Sequence, residues 1–202
     1  DKLNHMYPKF ISGGKANGYD EKILEKIWND WKAFASYAFN KSHATCYSWV
    51  AYQTGYLKAN YPSQYMAGAM SRDLSNITEI TKFMDESKRM GINTLGPDIN
   101  ESLMKFSVNH RGDIRFGLGA IKGVGSQAVE NILKEREENG EFSDIYNVME
   151  RINLTTCNRK TLENLAIAGA FDSFGIAREQ FVEEDEMGGD FLDALIKYGT
   201  QY

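Results

Sequence analysis

The sequence predicts a mainly α fold with one small β-hairpin, and three observations carry this. Apolar residues recur at helical spacing through most of the chain. Two short runs, Lys105–Val108 and Ile114–Gly117, alternate with period two. Glycine-bearing turns punctuate the helical runs, above all Gly123-Val124-Gly125.

Residues 1–19 hold Gly13, Gly14 and Gly18 with few apolar side chains, and read as loop with one short helical piece near Lys9. Asp20 is a fair N-cap for an amphipathic helix reaching about Tyr37, with Ile23, Leu24, Ile27, Trp28, Trp31 and Phe34 as a mostly buried stripe. A polar cluster follows, Asn40-Lys41-Ser42-His43, behind Phe39. Ser42 suits the cap of the next helix, about Ala44 to Asn60. Its Tyr47, Trp49, Tyr52 and Tyr56 come with few charges, which predicts burial on most sides.

Pro62 ends that helix. Further helices are expected over about 63–72 and 75–90, the second closed by Gly91. Ile92–Leu95 is extended. Lys105–Val108 and Ile114–Gly117 form the hairpin, joined by Asn109–Asp113. Ser126 is the expected N-cap of a helix ending near Asn139-Gly140. A short helix through Ile145 and Met149 and a linker from Asn153 to Thr156 lead to a helix opened by Asn158-Arg159-Lys160. That helix ends at Ala168-Gly169-Ala170, with a further helical run after Asp172. Glu183–Glu186 with Gly188-Gly189 reads as an acidic linker before a last helix from Asp190.

The 202 residues are 42% hydrophobic and 25% charged, an ordinary globular balance. The expected division is a first domain over 1–100, a second over 101–182, and a linker with the start of a further unit over 183–202. No apolar run of about 18 residues is present, so no membrane partner is expected and the cytoplasm is the expected location. The start has neither an initiator Met nor a signal-peptide shape, which suggests a piece of a longer chain. Cys46 and Cys157 lie far apart, without metal-ligand spacing. The sequence holds no phosphate-binding Gly-Lys loop and no Gly-x-Ser-x-Gly elbow, and its carboxylates show no two-metal pattern. No catalytic residue, metal site or cofactor is therefore expected within it.

Two places can receive phosphate. In Lys122-Gly123-Val124-Gly125-Ser126, two glycines bracket one apolar residue directly before a helix. Glycine permits a tight turn and close backbone approach, and a helix N-terminus presents unpaired N–H groups to an anion. This is the pattern of a helix-hairpin-helix hairpin, which grips a nucleic-acid backbone without reading bases. An ordinary loop has the same look. The second place is Asn40-Lys41-Ser42-His43, where a Lys and a His beside a helix start could meet a phosphate or triphosphate. A polar loop capping a helix is the other reading. The formal net charge of −5 argues against a strong free-standing nucleic-acid binder.

The ordered motifs make the chain resemble the alpha subunit of bacterial DNA polymerase III. They include Phe39 through Tyr47, Tyr52-Gln53-Thr54, Tyr61-Pro62, Pro97-Asp98-Ile99-Asn100, Phe116 through Gly125, and Asn158-Arg159 through Asp172. The resemblance runs from about residue 10 to residue 178. It implies the C-terminal part of a fingers domain up to about residue 100, then a tandem helix-hairpin-helix region. It makes Asn40, Lys41, Ser42 and His43 candidates for the nucleotide or template pocket. It makes Lys122, Gly123, Gly125 and Ser126 candidates for duplex phosphates, with Asn158, Arg159, Lys160 and Gly169 on the second strand. The implied partners are duplex and primer-template DNA, a deoxynucleotide triphosphate, and a sliding clamp and other replisome subunits bound mostly elsewhere. The family's magnesium-binding carboxylates lie upstream, so polymerase activity belongs to the full-length enzyme and the segment alone is expected to be inactive. The second hairpin departs from the pattern, because Ala168-Gly169-Ala170 has one glycine. A non-catalytic repair or recombination scaffold would carry similar hairpins.

Overall fold

The computed structural model describes residues 2–37, 40–184 and 188–201. Phe39 of the polar cluster, and Asp185 and Glu186 of the acidic linker, lie outside the described residues. The chain forms two compact units, residues 1–55 and 56–202. Residue 100 falls inside the second.

In the first unit, α1 (Lys2–Ala16) packs on α2 (Glu21–Tyr37). This replaces the loop expected over residues 1–19. One of the glycines there serves packing: a Cβ on Gly14 would overlap the Leu24 side chain, so its absence lets α2 come close. Ile11, Leu24 and Trp28 are buried between the helices. Tyr7 meets Trp28 with ring centroids 5.3 Å apart, and Phe10 meets Trp31 at 5.0 Å. These contacts hold a helix that carries Pro8 in its interior. Asp20 starts α2 as expected, its Oδ1 accepting from Lys22 N at 2.7 Å. The stripe of α2 is only partly core, since Ile23, Trp31 and Phe34 are exposed.

α3 (Lys41–Asn60) runs from the first unit into the second. Asn40, not Ser42, caps it, with Oδ1 accepting from His43 N at 3.0 Å. The expected burial of α3 is not found: the helix has no buried residue, and Trp49 is 63% exposed. Its apolar residues lie all around the helix rather than along one stripe, so no single neighbouring element could cover them.

The second unit begins with α4 (Pro62–Met70) and α5 (Ile77–Arg89), and Pro62 takes the first helical position, where its missing N–H costs nothing. They cover a sheet of three short strands, β1 (Thr94–Leu95), β2 (Ser107–Val108) and β3 (Ile114–Arg115), ordered β1-β3-β2. The hairpin pairs β2 with β3, Val108 opposite Ile114. The added element is β1, which pairs parallel with β3, Thr94 opposite Ile114. Met66, Met70, Ile80, Phe106 and Ile114 form the core beneath.

A larger core joins α6 (Ser126–Asn139), α7 (Ile145–Arg151), α8 (Arg159–Ala168) and α9 (Phe191–Gln201), with Val129, Ile132, Val148, Leu162, Leu165 and Phe171 at its centre. Each loop is tied by side chains. Asp144 caps α7 through Asn147 N at 2.9 Å. Asn100 exchanges two hydrogen bonds with the backbone of Phe142, both 2.8 Å. The Arg136 guanidinium donates to the carbonyls of Ile99 and Ser102 at 2.9 and 2.8 Å. Among the described residues no helix is long and apolar enough to cross a membrane.

Candidate nucleic-acid interface

The first hairpin starts from a 3-10 turn, Leu118–Ala120, pinned by Leu118 N and Gly119 N donating to Leu103 O and Met104 O at 2.9 and 3.0 Å. Val124 N then closes a turn on Ile121 O at 3.1 Å. Gly123 has φ +82°, a left-handed backbone that side chains resist. A Cβ there would also overlap the Asn164 amide of α8. Val124 is 8% exposed and plugs the core beside Ile121 and Val129. Around it Lys122, Gly123, Gly125, Ser126 and Gln127 are all exposed.

Gly125, not Ser126, is the N-cap of α6; Ser126 is its first helical residue, and no side chain caps the helix. The first intrahelical bond runs from Val129 N to Gly125 O at 3.2 Å. The Val124 amide is taken by Ile121 O, while the exposed residues on either side of it, 122, 123 and 125–127, leave the start of α6 open to an anion. Gly125 itself is extended, φ −76° and ψ 151°, a conformation open to any residue, and a Cβ there would touch nothing. Its missing side chain meets no internal need. It leaves the outer face of the turn clear.

The second hairpin is built differently. Asn158 caps α8, its Oδ1 accepting from Thr161 N at 3.0 Å. Arg159 is held by three carboxylates: Asp193 at 2.7 Å, Glu163 at 3.2 Å, and Asp190. The hydrogen bond from Arg159 to Asp193 pushes the guanidinium pKa up. Lys160 pairs with Glu163 at 2.9 Å and holds that carboxyl below its usual range. Gly169, at φ +92°, ends α8, with Ala170 N donating to Leu165 O at 2.9 Å. It is buried, and the Arg178–Asp172 ion pair sits where a Cβ would be. The helical run expected after Asp172 is two short 3-10 turns, Asp172–Phe174 and Arg178–Phe181. Gly175 and the chain's tight turns leave no continuous helix to present amides as α6 does.

Asn40, Lys41, Ser42 and His43 are exposed at the start of α3. The His43 ring leans on Tyr47 at 4.4 Å, and Lys41 lines a shallow surface with Ser48, Trp49 and Tyr52. This set lies in the first unit and the hairpins in the second. Sequence reasoning did not single out Asn164, whose amide packs against Gly123. Its spacing of four from Lys160 on α8 was the available signal.

A helix-hairpin-helix motif family matches residues 91–181, which covers both hairpins. The chain is 39% identical over 193 residues to the DNA polymerase III subunit alpha of Saccharopolyspora erythraea, covering 96% of this chain. It is 41% identical over 189 residues to that of Campylobacter jejuni, covering 92% of this chain, and 41% identical over 197 residues to that of Borreliella burgdorferi, covering 98%. The chain is homologous to a segment of the DNA polymerase III alpha subunit. It spans 16% of the length of each of these three relatives. All three are polymerase subunits by name, not repair or recombination scaffolds.

Proposed function

We propose that the segment helps a bacterial replicative DNA polymerase hold its duplex, and that the first hairpin is the gripping element. The observation that carries this is the turn at 121–125. Val124 anchors it from inside, Gly123 bends it, and Gly125 clears its outer face in front of an uncapped helix N-terminus. Lys122 adds an exposed cation at the same point. Phosphate contacts of this kind position a protein on DNA without specifying sequence.

The second hairpin takes a supporting part. Gly169 is buried and Arg159 is engaged by carboxylates, so the proposal leaves them out of DNA contact. Asn158 serves α8 as its cap. In the first unit, Asn40, Lys41, Ser42 and His43 belong to a fingers region that meets the template or the incoming deoxynucleotide. The whole enzyme is a DNA-directed DNA polymerase of the cytoplasm, meeting a sliding clamp and other replisome subunits mostly through other regions. In this reading the magnesium implied for that enzyme belongs to carboxylates outside the segment, and the proposal takes the segment alone to be inactive in nucleotide transfer.

The test is duplex binding by the full-length polymerase carrying Lys122→Gln with Gly125→Val. If the hairpin neutralises about three phosphates, the log–log salt slope of the parent includes about −3 from this site. The double variant is expected to lose affinity and part of that slope, equally on unrelated sequences. Unchanged affinity at low salt would refute the gripping role.

A further inference from the structure

One surface of the second unit carries no carboxylate. A groove of about 1170 Å³ runs beside the first hairpin, and its fifteen lining residues include no Asp or Glu. The chain as a whole carries 28 such residues against 23 Lys and Arg. The floor is apolar, with Ile77, Ile121 and Ile167; Ile77 is 57% and Ile167 52% exposed. The polar side chains are Ser75, Lys122 of the hairpin, and Lys160 and Asn164 of α8. Lys160, Asn164 and Ile167 are spaced four and three apart, so they share one face of that helix.

We propose that this groove seats one sugar–phosphate strand of the duplex, so that Lys160 and Asn164 continue the strand that the first hairpin grips. The inference rests on the duplex-holding reading above. It makes Asn164 a DNA-binding residue and moves Lys160 from the second strand to the first. The chemistry fits a strand of this kind. Phosphates meet cations and an amide donor at the rim, deoxyribose C–H faces meet the isoleucines, and the lining itself adds no carboxylate, Glu163 and Asp73 standing behind Lys160 and Ser75 as their partners. Asn164 is placed for this by Gly123, since its amide packs where a side chain would otherwise stand. Lys160 is 70% exposed in its pair with Glu163, a surface pair of little worth that a phosphate can replace.

The experiment uses the full-length polymerase and a mixed-sequence duplex, with Lys122→Gln as the reference variant. Asn164→Asp is expected to weaken binding about tenfold or more by placing a carboxylate against phosphate. Lys160→Gln, at an exposed position that does not threaten the fold, is expected to reduce the salt slope by about 1. Neutral methylphosphonates placed in one strand at a time locate the contacts. Lys122→Gln and Lys160→Gln are both expected to lose their effect when the same strand is neutralised. If their effects vanish on opposite strands, the shared track is wrong. If Lys122→Gln weakens binding while the α8 variants do nothing, the groove is not a DNA track although the hairpin still grips. Loss of another protein subunit by the α8 variants, with DNA binding intact, would give the groove to a peptide and overturn the inference. If none of the variants, Lys122→Gln included, changes DNA binding, the duplex-holding reading falls with it.

Discussion

Gly123 and Gly125 stand two residues apart and do different work. Gly123 supports the fold, because its backbone is left-handed and its face is covered by Asn164. Gly123→Ala is expected to destabilise the chain by about 1–3 kcal/mol, the usual cost of forcing a side chain into this backbone region. Gly125→Ala meets no such obstacle and is expected to change stability by less than about 0.5 kcal/mol. Urea unfolding of the two variants side by side checks this. The same Gly125→Ala is expected to weaken duplex binding by the full-length enzyme, which separates the open face of the turn from its stability. Lys41 offers a parallel case in the first unit. Lys41→Ala is expected to raise KM for the deoxynucleotide or lower kcat, through loss of a charge-assisted contact. Normal steady-state kinetics would leave Lys41 as a surface residue at the start of α3.

At the scale of elements, Arg136 shows how the hairpin helix is held. It comes from the last turn of α6 and donates to two carbonyls of the 99–102 loop. Burial pushes its pKa down, while Asp98 and Glu141 oppose that. Arg136→Met removes the donors but keeps much of the stem. It leaves two carbonyls short of partners, at about 1–3 kcal/mol for each group fully deprived. A loss of about 2 kcal/mol in a urea titration is therefore expected. Elements whose signals are local were legible in the sequence: the start of α2 at Asp20, the Pro62 break, the β2–β3 hairpin, and Val124 between its glycines. What escaped depends on partners distant in sequence. α1 was hidden because its glycines look like loop until Leu24 is seen to need the space at Gly14. β1 lies in the segment read as extended, but its pairing with β3 was hidden because it crosses some twenty residues, Thr94 to Ile114. The second hairpin's single glycine already marked it as a departure, and the ion pair of Arg178 with Asp172 over Gly169 is what the sequence did not announce.

For the whole molecule, the deciding quantity is charge. Several carboxyls are stabilised as anions in the fold. Glu86 is lowered from 4.5 to about 2 by hydrogen bonds from Arg89 and then Lys58, and Glu135 is lowered by Arg151. Folded values below unfolded ones mean that this stabilisation is complete above about pH 4.5 and is lost as pH falls toward 2. The urea midpoint should therefore fall through that window, and less steeply in Glu86→Gln. The same surplus of acid governs DNA binding. At a net charge of −5, the chain's overall field repels a polyanion at distances where single contacts do not act. A hairpin and groove contributing a few cations are not expected to offset it alone. Duplex binding by the isolated 202-residue chain is accordingly expected to be weaker than micromolar at physiological salt and to strengthen as salt is lowered. Fluorescence anisotropy with a labelled duplex checks both. A nanomolar constant at physiological salt would show that the local cations of Lys122 and Lys160 outweigh the field of the whole chain.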